Sequence, residues 1–263
     1  MAINFASLCP HPPLIIPNVG KEKIQRVSDT IESMETLADD LKQKDPQTVI
    51  VISPHAPQNP NSFVINNAEF FKGHFHQFGD LSTELAFQND LALVKSIEDK
   101  FKDKGISLKK RGFRELDHGT LVPLYYLTQG KPNLQIVSLA YSNLSLEEHY
   151  RMGETLREAS EGKNVGLVAS GDMSHRLTQG APAGYSPRGK EFDQKLIKLI
   201  NKKDVEGILN MDSTLVEQAG QCGYRSLVIA LGALQDLSCE PEVLSYEGPF
   251  GVGYLTVSFN IDS

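Results

Sequence analysis

Four of the seven histidines in this 263-residue chain fall where predicted sheet strands would end or a helix begin. His11 lies in CPHPPLIIP, just past the apolar stretch Phe5 to Leu8, and Pro10, Pro12 and Pro13 stiffen the backbone around it. His55, in VISPHAP, directly follows the β-branched run TVIVI at Thr48 to Ile52, the signature of a buried strand. His175 comes a short turn after NVGLVA, and His118 precedes the apolar helix predicted from GTLVPLYYL. Imidazole binds iron, zinc, copper and nickel. Two histidines with one anionic ligand and open positions are the usual equipment of oxygen-activating iron(II). A metal centre built around His11 and His55 is therefore expected.

Carboxylates accompany two of these imidazoles. Asp172 lies three residues before His175 and is placed to orient or charge it, although Ser170 or Asp172 would serve equally as a helix N-cap. Asp117 beside His118 is either a similar pair or simple turn chemistry. His74 and His76 in GHFHQF form an HxH pair in a possible strand, which surface alternation explains equally well. His149, among Glu147, Glu148 and Tyr150, reads as a solvated or capping residue. GPFGVG lacks the GxGxxG spacing and the following helix of a phosphate loop, so it reads as a turn between strands that leaves Tyr246 and Glu247 close to the cleft.

The elements that must position these groups alternate. Apolar residues every three or four positions predict helices over Lys21 to Lys44 and Ser82 to Lys104. Ser145 with Glu148 predicts a capping box for a helix ending at Ala159. Further helices are expected at about 189 to 201, 203 to 210 and 223 to 234. Strands are expected at Ser62 to Asn66, Leu134 to Ala140, Asn164 to Ala169, Glu242 to Tyr246 and Gly253 to Phe259. Alternating strands and helices imply an α/β three-layer sandwich, a central mixed, mostly parallel sheet flanked by helices. Ligands in such folds bind beyond the carboxyl ends of the strands.

Composition sets limits. Hydrophobic residues at 40% and charged residues at 22% fit a folded chain with a proper core, read as one domain over residues 1–263. A net charge of -7 argues against a nucleic-acid surface, and Lys109-Lys110-Arg111 is a small solvated cluster on a loop. No apolar run is long enough for a membrane span, and the N-terminus does not read as a secretory signal. Three cysteines without CxxC spacing fit a reducing compartment, so a cytoplasmic protein is expected.

Taken in order, CPHPPLIIP, VISPHAP, DHGTLVPLYYL, SGDMSHRLTQGAPAGY, CGYRSLVIALGAL and SYEGPFGVGYL resemble the LigB-type class III extradiol dioxygenase domain. The likeness is to its subgroup linked to the AmmeMemoRadiSam system and the Memo proteins, and it covers nearly the whole chain. It implies a non-haem metal, classically Fe(II), with Zn or Cu as the other candidates, bound by His11 and His55. His118, His175 and Asp172 are then the catalytic residues lining the site. Ring-cleaving members take a third ligand from a late glutamate, whereas Memo-like members use a cysteine in a CG motif similar to Cys222-Gly223. Relatives that read ECG have Gln221-Cys222-Gly223 as their counterpart here. Cys222 is thus the expected third ligand, with Gln221 and Glu217 as alternatives, Glu217 reaching the site if its segment is helical. The implied activity uses O2 on a small aromatic diol. The alternatives are a Memo-like metal or redox-binding protein without ring cleavage, and a zinc-dependent hydrolase. Implied partners are AMMECR-type and radical-SAM proteins, with homo-oligomerisation left open.

Overall fold

Runs of β-branched residues buried on both faces form the middle of the sheet. The computed structural model describes residues 3–131 and 133–262. Its strands are β1 (Ile3–Cys9), β2 (Thr48–Ser53), β3 (Phe63–Asn66), β4 (Phe70–His74), β5 (Glu84–Gln88), β6 (Leu108–Arg111), β7 (Gln135–Ala140), β8 (Val165–Ser170), β9 (Cys239–Glu247) and β10 (Tyr254–Ile261). The helices are α1 (Pro17–Gly20), α2 (Ser28–Lys44), α3 (Leu91–Asp103), α4 (His118–Leu127), α5 (Leu146–Ala159), α6 (Pro187–Asn201), α7 (Val205–Leu209), α8 (Ser213–Ala219) and α9 (Tyr224–Leu234).

Eight strands form one mixed sheet in the order β6-β3-β7-β2-β8-β1-β10-β9, and β4 pairs with β5 in a separate hairpin. The central four, β7, β2, β8 and β1, are mutually parallel. Antiparallel β10 and β9 extend one edge, and β3, antiparallel to β7, carries β6 on the other. Strand periodicity sorts the core into two layers. Ile50 and Ile52 face one cluster with residues of α3, α5, α6 and α9, while Val49 and Val51 face another with residues of α2 and α4.

Three expectations are corrected. The segment expected as one helix from Ser82 to Lys104 divides into β5 and α3. Leu85 and Phe87 follow the two-residue alternation of a strand, and Asp90 starts the helix by accepting from Leu93 N at 2.8 Å. Lys21 to Val27 is a 3-10 segment ahead of α2, separated from it by the non-helical φ of -131° at Val27. The first turn of α2 is capped from afar, Glu247 accepting from Thr30 N at 2.8 Å. Lys109 to Arg111 lie not on a loop but on edge strand β6, where they are exposed. The capping box is present, with Glu148 N donating to Ser145 Oγ at 3.2 Å. Among the described residues no helix is long and apolar enough to cross a membrane.

Candidate metal centre

Parallel strands in register deliver their next residues to one pole. Cys9 pairs with Ser170 across β1 and β8, and Ile52 with Ala169 across β2 and β8, so His11, His55 and Asp172 leave the sheet at the same level. His118 reaches the group as the first residue of α4. Its preceding Asp117 caps that helix, accepting from Thr120 N at 3.1 Å and from Thr120 Oγ1 at 2.8 Å. Ser53 Oγ donates to the same carboxylate at 2.5 Å and accepts from His55 N at 3.1 Å. One polar knot thus fixes the backbone of both His55 and His118.

The tautomer of His11 follows from its neighbours. Ser170 has a single hydroxyl proton, which it donates to the Gly119 carbonyl. Ser170 Oγ must therefore accept at 2.9 Å from His11 Nδ1, which carries the ring proton. His11 Nε2 is left with its lone pair directed at His55 Nε2, 3.1 Å away. Two nitrogens on one cation, with bonds of about 2.1 Å, stand about 3.0 Å apart at a right angle and about 3.4 Å apart at the tetrahedral angle, a range that includes the 3.1 Å seen here. The donor set therefore fits a divalent ion of the zinc or iron type. His118 stacks on His55 with ring centroids 4.3 Å apart, and ligand atoms of His11, His55 and His118 all lie within 4.8 Å of one another. Burial and the neighbouring imidazoles hold His11 well below the usual histidine range, and partial burial lowers His55 and His118. Neutral imidazole is the ligating form, so these shifts favour metal.

A second group approaches from β8 and α9. Gly171 makes this possible, because a Cβ there would lie 2.0 Å from Gly223 Cα. Cys222 N and Gly223 N donate to the Asp172 carbonyl at 3.2 and 2.9 Å, and Asp172 N donates to Cys222 Sγ at 3.2 Å. That leaves Cys222 Sγ 3.6 Å from His11 Nε2. Asp172 accepts from His11 N at 2.9 Å, and burial pushes its carboxyl up to about 7. Burial, reinforced by Asp172, raises the Cys222 thiol strongly. His175 Nδ1 donates to the Gly220 carbonyl at 2.6 Å, leaving Nε2 unprotonated, 4.0 Å from Asp172 Oδ2. The carbonyl, more than the carboxylate, orients this ring. Burial lowers its pKa as well.

Other expected residues stand elsewhere. Gln221 Oε1 accepts from Tyr224 N at 2.8 Å and caps α9, and Glu217 is exposed on α8. His74 and His76 stack on each other, and His74 faces Glu115 at 3.3 Å. His149 is fully buried instead of solvated, both ring nitrogens directed at backbone carbonyls of Ser145 and Ser142. Tyr246 donates to the buried Asp193 at 2.7 Å, and Glu247 is occupied by α2, so neither reaches the histidines. A cleft of about 1110 Å³ lies near the opposite strand ends, between residues such as Lys42, Thr48, Asp90 and Lys163. It is wide open, and Asp90 there is already engaged by Thr48 and Lys163. Ser53, Gly119 and Tyr141 contribute to the site without any spacing that would single them out.

Comparison with known proteins gives three findings. The family model described as the catalytic LigB subunit of aromatic ring-opening dioxygenase matches residues 5–257. Protein CA_C1420 of Clostridium acetobutylicum is 35% identical over 265 residues, an alignment covering 97% of this chain and 57% of that protein. The chain thus spans little more than half the length of that relative. The crystal structure of uncharacterized protein JW3007 from Escherichia coli K12 superposes with a TM-score of 0.68 at 16% identity, covering 97% of this chain and 98% of that one. This last likeness is one of fold.

Proposed function

Because the chain belongs to the LigB family of ring-opening dioxygenase catalytic subunits, we propose that it is a non-haem Fe(II) oxygenase that opens a small aromatic diol with O2. The observation that carries this reading is the meeting of His11, His55 and His118, with the His11 tautomer set to present Nε2. His11 and His55 would hold the ion and His118 would border it. Bound iron supplies the electrons and open positions that bring a diol and O2 to reaction. Both oxygen atoms enter the product as a ring carbon–carbon bond breaks, so no outside reductant is consumed. The diol must lose protons on binding. His175, neutral at neutral pH and unprotonated at Nε2, is the group suited to take one, and His118 is the second imidazole available. Asp172 anchors the His11 backbone and keeps a carboxyl that titrates near neutrality beside them.

A second reading rests on Cys222, whose sulfur stands 3.6 Å from His11 Nε2. A thiolate there would favour a softer or redox-active ion, giving a Memo-like metal or redox protein without ring cleavage. Anaerobic metal analysis of His11→Ala and His55→Ala, with oxygen-electrode assays on catechols, separates the possibilities. The oxygenase reading expects both variants to lose iron and oxygen uptake. Full iron content in either variant refutes it. Copper or zinc in the wild-type protein without oxygen uptake favours the second reading.

A further inference from the structure

The outer face of the β4–β5 hairpin gathers metal-binding side chains that the centre above the main sheet leaves unused. Along β4, Phe71 and Gly73 turn inward, Gly73 so closely that a Cβ there would lie 2.0 Å from Leu121 Cδ2 of α4. Lys72 and His74 therefore turn outward, and His76 follows at the same two-residue spacing. Across the hairpin, His74 pairs in register with the exposed Glu84. On the other side, residues 114–116 add themselves to β4 by a parallel bridge. Lys72 N donates to the Arg114 carbonyl at 2.7 Å, and Leu116 N donates to the Lys72 carbonyl at 2.9 Å. The bridge sets Glu115 level with Lys72 on the outward face, yet His74 is the side chain that Glu115 engages.

Three of these groups already touch. The His74 and His76 rings stack with centroids 3.9 Å apart and planes 12° apart, and His74 Nε2 stands 3.3 Å from Glu115 Oε1. His74 Nδ1 accepts from His76 N at 3.4 Å, so the ring proton sits on Nε2, between imidazole and carboxylate. A cation can take the place of that proton. Bonds of about 2.1 Å to nitrogen and to oxygen at the tetrahedral angle span about 3.4 Å, close to the separation found. We propose that His74, His76 and Glu115 form a second, peripheral site for a divalent transition ion of the zinc or nickel type, with Glu84 as a fourth donor. Imidazoles with a carboxylate suit such ions, whereas magnesium and calcium call for oxygen donors throughout. Parallel rings direct their lone pairs side by side, so the stack must open as the ion enters, and His76 is exposed and free to turn. An ion held there would pin the hairpin to the stretch that leads through Asp117 into α4. The hairpin also carries Phe78 close by, whose ring packs edge-to-face on His118 with centroids 5.4 Å apart. The clamp would thus brace one wall of the histidine centre. Nothing in it depends on which ion or reaction His11 and His55 support.

The test is calorimetric titration of the chelator-treated chain with Zn(II) and with Ni(II), the ion alone serving as probe. Wild type should bind one equivalent more than His74→Asn/His76→Asn, whether or not the inner centre fills. His11→Ala/His55→Ala should keep that equivalent, and in that variant Zn(II) should shift the ring nitrogen resonances of His74 and His76. Glu115→Gln should weaken the same equivalent by about tenfold or more, the least that even an indirect partner of a ligand is worth. Equal stoichiometry in wild type and His74→Asn/His76→Asn overturns the proposal. So does displacement of the ion by excess Mg(II), or an affinity that survives Glu115→Gln intact, which would mark an adventitious histidine pair only. Should His11→Ala/His55→Ala fail to fold, the comparison of wild type with His74→Asn/His76→Asn decides alone. Failure of the inner centre to take up metal, with the peripheral equivalent kept, would count against the oxygenase and not against this site.

Discussion

Ser170→Ala isolates the link between the sheet and the chemistry of His11. The hydroxyl is fully buried, donates to the Gly119 carbonyl and accepts from His11 Nδ1 at 2.9 Å. Alanine fills almost the same space but leaves both partners without a bond, and both are buried. An orphaned buried group costs about 1–3 kcal/mol. Relief is available only to the imidazole, whose proton can move to Nε2, so the net loss should be about 2–3 kcal/mol. In a chain of this size that corresponds to a fall in Tm of roughly 5–10 °C. The same proton shift places N–H on the atom that faces His55 at 3.1 Å, where a metal needs a lone pair. Loss of such an orienting bond typically lowers metal affinity 10–100-fold. Thermal denaturation of the metal-free protein measures the first effect and chelator competition the second. A destabilised variant with wild-type metal affinity would refute the tautomer argument, and an unchanged Tm would refute the hydrogen-bond accounting.

Gly119→Ala would place a methyl 2.5 Å from Ser53 Oγ and 3.2 Å from His55 Cδ2, so metal affinity should fall even though alanine favours the helix by up to about 1 kcal/mol. An unaltered metal dissociation constant would show that His55 is not held this tightly. Asp193 is fully buried and its carboxyl is pushed up to about 6 by burial, so between about pH 4 and pH 6 the folded chain keeps a proton that the unfolded chain has released. Stability should therefore decline as pH rises through that window. Asp193→Asn should remove that part of the slope and gain on the order of 2 kcal/mol near pH 8, and urea midpoints with the wild-type pH profile would contradict it.

His11 and His55 were legible because each follows an apolar run whose strand character is local, and parallel strands end at a common pole whatever the loops do. The capping box of α5 was legible for the same reason, since Ser145 and Glu148 bond within one turn. Misreading began where pattern was short. Leu85 is six positions from Leu91, a gap that breaks helical spacing, and Leu108 to Arg111 shows a charged surface because an edge strand can be mostly exposed. His149 looked solvated beside two glutamates, yet helical geometry turns it inward against Phe63. Ser170 reads in the sequence as a possible helix N-cap, and its actual task was hidden because the Gly119 carbonyl it serves comes from a different layer.

The charges around the centre argue that Cys222 decides between the two functional readings. The nearest histidines are all kept neutral, and no lysine or arginine bonds Asp172 or Cys222 among the described residues. Burial accordingly drives both acids towards their protonated forms. A divalent cation beside His11 would reverse that direction for both, because its charge is the largest in such a site. Asp172 is already committed through Oδ1 to the His11 backbone, so its ionisation would strengthen an existing bond. Cys222 Sγ accepts from Asp172 N at 3.2 Å and donates its thiol proton to the Asp172 carbonyl at 3.7 Å, a long bond that ionisation would release, leaving the sulfur to approach the ion. If the thiol loses its proton to the cation, a thiolate fills a position that a chelating diol needs. If it remains a thiol at 3.6 Å, the position stays open for substrate. The ionisation of one sulfur, read from thiolate-to-metal absorption on metal addition, therefore separates a ring-opening oxygenase from a protein that only holds its metal.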